Sequence, residues 1–148
     1  MLLELAFPNL ANESFAITSQ PDKRYNCIAW AAGVMDQWWW RDPFFQKYWP
    51  ESVAREETMS AFADVFRQLG YEPCTDGVFE AGFEKIAIYG SSKPTHAARQ
   101  LADGTWTSKL GQDCDISHDS TNGVSGVVYG DVALFMRRPR AANQLAST

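Results

Sequence analysis

The chain has 148 residues, 45% hydrophobic and 21% charged, a balance that excludes wholesale disorder and suffices for a core of ordinary size. Thirteen basic against eighteen acidic residues leave a net charge of −5, and no run of Lys or Arg supplies a local footprint for nucleic acid or an anionic membrane surface. Three cysteines (Cys27, Cys74, Cys114) at unrelated spacings, with no CxxC, exclude a paired disulfide framework and point to a reducing compartment.

The opening "MLLELAFPNLANESF" lacks a basic leader region and is broken by Glu4 and Pro8, so it does not read as a secretory signal. No stretch reaches the roughly 20 apolar residues a membrane span requires. The expectation is a cytoplasmic protein, with leaderless export as the alternative. Residues 1–140 read as one domain, the first twenty as an extended arm, and 141–148 as a polar tail.

The first predicted helix runs from Cys27 to about Met35 in "CIAWAAGVM", nearly all apolar and therefore buried on most sides. Asn26 is its expected N-cap, which puts Cys27 at the first helical position. "DQWWWRDPFFQKYWP" follows with two prolines and no sustained period; it reads as an aromatic loop over 38–49. A second helix lies within "ESVAREETMSAFADVFRQLG", where Met59, Phe62, Phe66 and Leu69 form a stripe at helical spacing and Gly70 ends it.

Beyond Gly70 the texture changes to short segments at 83–90, 95–101, 105–111 and 130–138, separated by turn chemistry. Asp103-Gly104 marks a hairpin between the second and third. Residues 112–129 read as a polar excursion with a short turn around Asp115 to His118. Helices first and antiparallel strands after give an α+β fold, N-terminal helices packed against an antiparallel sheet.

A thiol at a helix start can become a nucleophile if a histidine lies within reach and a third group orients the ring. The chain has two histidines: His96, opening the second strand, and His118, in the polar excursion. The order of Cys at the start of a buried helix, a further helix, then His at a strand start followed by a hairpin, is carried by "NCIAWA" and "THAARQLADGTWTSKLG". It resembles the papain-like cysteine hydrolases, including their bacterial NlpC/P60 and CHAP branches. That resemblance implies a papain-like fold and a thiol hydrolase of amidase or peptidase type, working on a peptide, amide or ester substrate without metal or organic cofactor.

Two features depart from the pattern. There is no "DCSG", and the position twelve after the His, often a second His in NlpC/P60 proteins, is Ser108. "WTSKLG" followed by "ISH" also resembles a W-x-S-K-x-G and I-x-H pairing of bacterial proteins, which carries no implied activity.

The third member has four candidates, Asp115, Asp113, Ser108 and His118. A two-residue turn at Asp103-Gly104 places His96 opposite Gly111 and Ser108 on the other face; a three-residue loop returns Ser108 to the His96 face. The sequence admits both. The Cys27 backbone N–H is the natural oxyanion donor, and the resemblance adds Gln20 as a side-chain donor. Trp38, Trp39 and Trp40 are placed to line a substrate groove. The competing reading is a non-catalytic interaction module on the same scaffold, docking through the 38–49 loop, with Cys27 packed as a small hydrophobe. Cys74, Cys114 and His118 lack the paired spacing of a zinc site.

Overall fold

The β-rich second half of the chain folds, in a computed structural model that describes residues 3–141, into one antiparallel sheet of seven strands. A helix α1 (Leu3–Ala6) and a 3-10 turn (Pro8–Asn12) precede strand β1 (Phe15–Ile17). Helices α2 (Cys27–Ala31) and α3 (Met59–Gln68) follow. The remaining strands are β2 (Glu72–Cys74), β3 (Phe83–Gly90), β4 (Pro94–Gln100), β5 (Trp106–Lys109), β6 (Asp115–His118) and β7 (Val132–Pro139). Their order across the sheet is β1-β6-β5-β4-β3-β7-β2. The molecule is therefore α+β and mostly β.

Helix α3 follows its sequence closely. The Thr58 side chain accepts from Ala61 N at 3.1 Å as N-cap. At the other end Tyr71 N donates to Phe66 O and Gly70 N to Arg67 O, both at 3.0 Å, with Gly70 at φ +95°. This is a Schellman stop, open at low cost only to glycine. Phe62 and Phe66 are fully buried on its inner stripe. Cutting either to Ala costs about 3–5 kcal/mol.

Both faces of the sheet are covered. Ile28 and Ala29 of α2 and Phe62, Val65 and Phe66 of α3 share one core with Ile86, Ile88, Ala97 and Met136. Leu3, Phe7, Leu10 and Val124 share the other with Ala87, Tyr89, Ala98, Trp106 and Ile116. Central strand β3 consequently buries both of its side-chain rows and shows no apolar–polar alternation. Even Glu84 is buried there, its carboxylate 2.7 Å from Arg138 Nε and 3.6 Å from Arg140 Nη1.

Three expectations need correction. Helix α2 is shorter than expected, ending at Ala31 with Gly33 at φ +87° turning the chain. Residues 115–118 are not a turn but strand β6, because alternate side chains there pack inward while β1 and β5 satisfy the backbone on either side. The first twenty residues do not simply lie across the surface: Leu3, Phe7 and Leu10 enter the second core, and β1 closes one sheet edge. The polar tail falls, except for Ala141, outside the described residues.

The β4–β5 hairpin settles the register. Leu101 N donates to Thr105 O at 2.8 Å and Gly104 N to Leu101 O at 3.0 Å, with Gly104 at φ +90°. Residues 102–104 thus form a three-residue loop ending in a left-handed glycine. Arg99 pairs with Thr107 and Gln100 with Trp106. Ser108 comes to the same face as His96.

Candidate active site

Asn26 builds the start of α2 and ties it to the aromatic loop. Its Oδ1 accepts from Ala29 N and from Trp39 N, each at 3.1 Å, and its Nδ2 donates to Trp39 O at 2.7 Å. Cys27, next in the chain, is 8% exposed. It lies in the wall of a pocket of about 360 Å³ formed with Asn26, Trp38, Trp40, Thr95, Gly111 and Tyr129. Backbone N–H groups of Ala97, Ile28 and Cys27 itself favour the thiolate, but burial outweighs them and pushes the thiol up to about 11. The helix start therefore does not depress the thiol, against the expectation for this position. The resting group is a neutral S–H.

His96, fully buried, immediately precedes Ala97, whose backbone N–H favours the thiolate. Its ring lies 5.3 Å from the Tyr89 ring and is stacked on Tyr129 at 4.0 Å and 6°. Tyr129 belongs to both surroundings, lining the pocket beside Cys27 and covering the imidazole. Thr95 Oγ1 holds the backbone of this tyrosine by donating to its carbonyl at 2.5 Å. Cys27 and His96 Nδ1 are not hydrogen-bonded; Nδ1 is buried without a hydrogen-bond partner among the described residues.

The other ring nitrogen begins a chain of bonds. His96 Nε2 lies 2.9 Å from Ser108 Oγ, Ser108 Oγ lies 2.8 Å from His118 Nε2, and His118 Nδ1 lies 2.7 Å from Ser120 O. Burial lowers the pKa of both histidines, His96 well below its ordinary value and further through the proximity of His118. Both rings are therefore neutral near pH 7, each with one N–H and one lone pair.

A carbonyl can only accept, so His118 carries its proton on Nδ1 and offers a lone pair at Nε2. Ser108 must donate its hydroxyl proton to that lone pair, and its oxygen then accepts from His96 Nε2–H. The chain fixes the His96 tautomer and leaves Nδ1 as an unprotonated, unsatisfied base.

Two of the four candidates for third member thus stand in line behind His96: Ser108 directly, His118 behind it. The aspartates do not. Asp115 Oδ2 accepts from Tyr25 Oη at 2.7 Å, and Asp113 Oδ1 accepts from Cys114 N at 2.9 Å. Gln20 is exposed and takes no part in the pocket wall, so of the expected oxyanion donors the Cys27 N–H is the one at the site. Trp38 and Trp40 line the pocket beside Cys27. Trp39 does not; it is buried beneath them against Tyr48, ring centroids 4.7 Å apart.

Tyr129 and Thr95 escaped the sequence reading. Thr95 had a signal, as the neighbour of His96 at the strand start. Tyr129 had none, because it reaches the site from a turn bridged at Gly126 and Gly130, thirty-odd positions further on. Among the described residues no group of three or more His, Cys, Asp or Glu side chains is arranged to hold a metal, and no helix is long and apolar enough to cross a membrane.

Comparison with known proteins finds no match among curated proteins or solved structures. A family model described as a domain of unknown function, DUF7689, matches residues 16–137. That span takes in Cys27, the aromatic loop, His96, Ser108, His118 and Tyr129. The chain belongs to the DUF7689 family.

Proposed function

We propose that the protein is a thiol hydrolase of the papain-like type, with Cys27 as nucleophile and His96 as general base. The observation that supports this most is the His96 ring: three successive hydrogen bonds leave Nδ1 a lone pair with no partner among the described residues, next in the chain to Ala97, whose backbone N–H favours the Cys27 thiolate. A packing histidine has no use for such an arrangement, since a buried unsatisfied nitrogen costs about 1–3 kcal/mol.

With both groups neutral at rest, attack and proton transfer proceed together. The Cys27 proton passes to His96 Nδ1 as the sulfur bonds to the substrate carbonyl carbon, and the carbonyl oxygen gains the negative charge beside the Cys27 N–H. The His96 imidazolium then protonates the leaving amine or alcohol, and water hydrolyses the acyl-enzyme. Catalytic hydrogen bonds often tighten only when substrate is bound, and Tyr129, which both lines the pocket and stacks on the imidazole, joins the two surroundings. The walls, mainly Trp38, Trp40 and Tyr129, suit an amide or ester with an apolar group near the scissile bond.

Turnover of a panel of p-nitrophenyl esters and peptide anilides by the wild-type protein, and its loss in Cys27→Ala, tests the proposal. Full turnover retained by Cys27→Ala overturns it.

A second reading has one specific observation in its favour. Phe44 and Phe45 are 78% and 74% exposed on the loop that carries the pocket tryptophans, a surface suited to docking a protein partner. In that reading the pocket is a recognition site and the thiol is inert.

A further inference from the structure

Lys109 is fully buried, and the hydrolase chemistry above leaves it unused. Its Nζ donates to Asp22 O at 2.6 Å and to Gly111 O at 2.5 Å and sits 4.7 Å from the centre of the Tyr25 ring. These bonds are to main-chain carbonyls, which do not neutralise it. Of the carboxylates that act on it, Asp22 holds Arg24 at 2.7 Å, and Asp115 takes the Tyr25 hydroxyl at 2.7 Å on Oδ2 while its buried Oδ1 has no hydrogen-bond partner among the described residues. Among the described residues it makes no direct ion pair, and a buried ammonium held only by carbonyls is costly, so a further negative charge that forms beside it is stabilised.

Its position names that charge. Lys109 lies on the face of β5 that meets α2, where Thr107, two residues before it, accepts from Trp30 Nε1 at 3.0 Å. Gly111, whose carbonyl it grips, is in the pocket wall with Cys27, and Tyr25, whose ring it faces, is two residues before Cys27. The charge of Lys109 favours the Cys27 thiolate; burial lowers the Lys109 pKa, against which Asp115 and Asp22, then Cys27 and Asp113, favour the ammonium.

We propose that Lys109 is a positioning residue of this site, an ammonium clamped by the Asp22 and Gly111 carbonyls as counter-charge to the negative charge that forms on Cys27 Sγ and passes to the substrate carbonyl oxygen. It keeps its proton throughout; the thiol proton goes to His96 Nδ1. This rests on the thiol-hydrolase reading.

The test is alkylation of native protein by iodoacetamide against pH, with the modified cysteine identified by mass spectrometry, in wild type, Lys109→Met and Lys109→Arg. The expected result is reaction at Cys27 that is about tenfold or more slower at fixed pH in folded Lys109→Met, a shift of one pKa unit upward, and largely restored in Lys109→Arg. An unchanged pH profile in folded Lys109→Met overturns the role of Lys109 and leaves the hydrolase reading standing. A Cys27 inert in every variant up to the unfolding pH overturns both. If Lys109→Met does not fold, the 13Cε shift of Lys109 in the wild-type protein serves instead. An inflection at the thiol pKa that is absent from Cys27→Ala supports the pairing, and no inflection overturns it.

Discussion

His96 Nε2 and Ser108 Oγ lie 2.9 Å apart on neighbouring strands, at the end where direct pairing of β4 with β5 has stopped. The side-chain bond takes over from the backbone ladder there and continues into His118. Ser108→Ala leaves two buried ring nitrogens unpaired. A loss of about 1–3 kcal/mol in unfolding free energy is expected by urea titration, with turnover reduced on the order of 10²-fold as the base loses its orientation.

The tautomers are directly observable. Two-bond 1H–15N correlation spectra at pH 7 should show His96 protonated on Nε2 and His118 on Nδ1. In His118→Phe the Ser108 hydroxyl is freed to donate to His96 instead, and the His96 spectrum should show a shift of population toward the Nδ1–H form. Wild-type spectra with the proton of His96 on Nδ1 contradict the bonding chain.

Both histidines have folded pKa values below their unfolded ones. The unfolded state therefore binds more protons as pH falls below about 6.5. Stability contributed by the neutral rings is present above that pH and is lost as pH falls through the window down to the folded values. A slope of at most about 1.4 kcal/mol per pH unit for each histidine is expected as pH falls below about 6.5, and replacing His118 with Phe should make it shallower in urea titrations across that range.

Asn26 joins the start of α2 to the aromatic loop through three hydrogen bonds. Asn26→Ala removes a cap and strands two buried backbone groups of Trp39; a cost of about 2–4 kcal/mol is expected. Asn26→Asp keeps both acceptor bonds and loses only the donation to Trp39 O, so its thermal midpoint should fall between those of wild type and Asn26→Ala.

Much of this was legible from the chain alone. The Asn26 cap, the stripe of α3 with its Gly70 stop, and strand β3 are local, and local chemistry announces them. Strand β6 was not legible, since "DISH" among Asp and Ser reads as a loop until neighbouring strands supply its partners. The register of the β4–β5 hairpin hung on one residue of loop length, which "ADGT" allows either way, and that one residue decides whether Ser108 meets His96. Burial was the larger gap. The sequence puts Cys27 at a helix start, where a thiolate is favoured, but the burial that reverses the sign of the shift comes from tertiary packing, to which no local pattern points.

The most direct test of the Cys27–His96 pair is the rate of acylation by p-nitrophenyl acetate, followed in stopped flow with the acylated residue located by mass spectrometry, in wild type and His96→Gln. The expected result is an acetyl group on Cys27 in the wild-type protein, formed about 10²-fold or more slowly in folded His96→Gln. Equal rates in the two proteins, or acetyl groups found elsewhere while Cys27 stays free, would contradict the pairing and leave the thiol as packing.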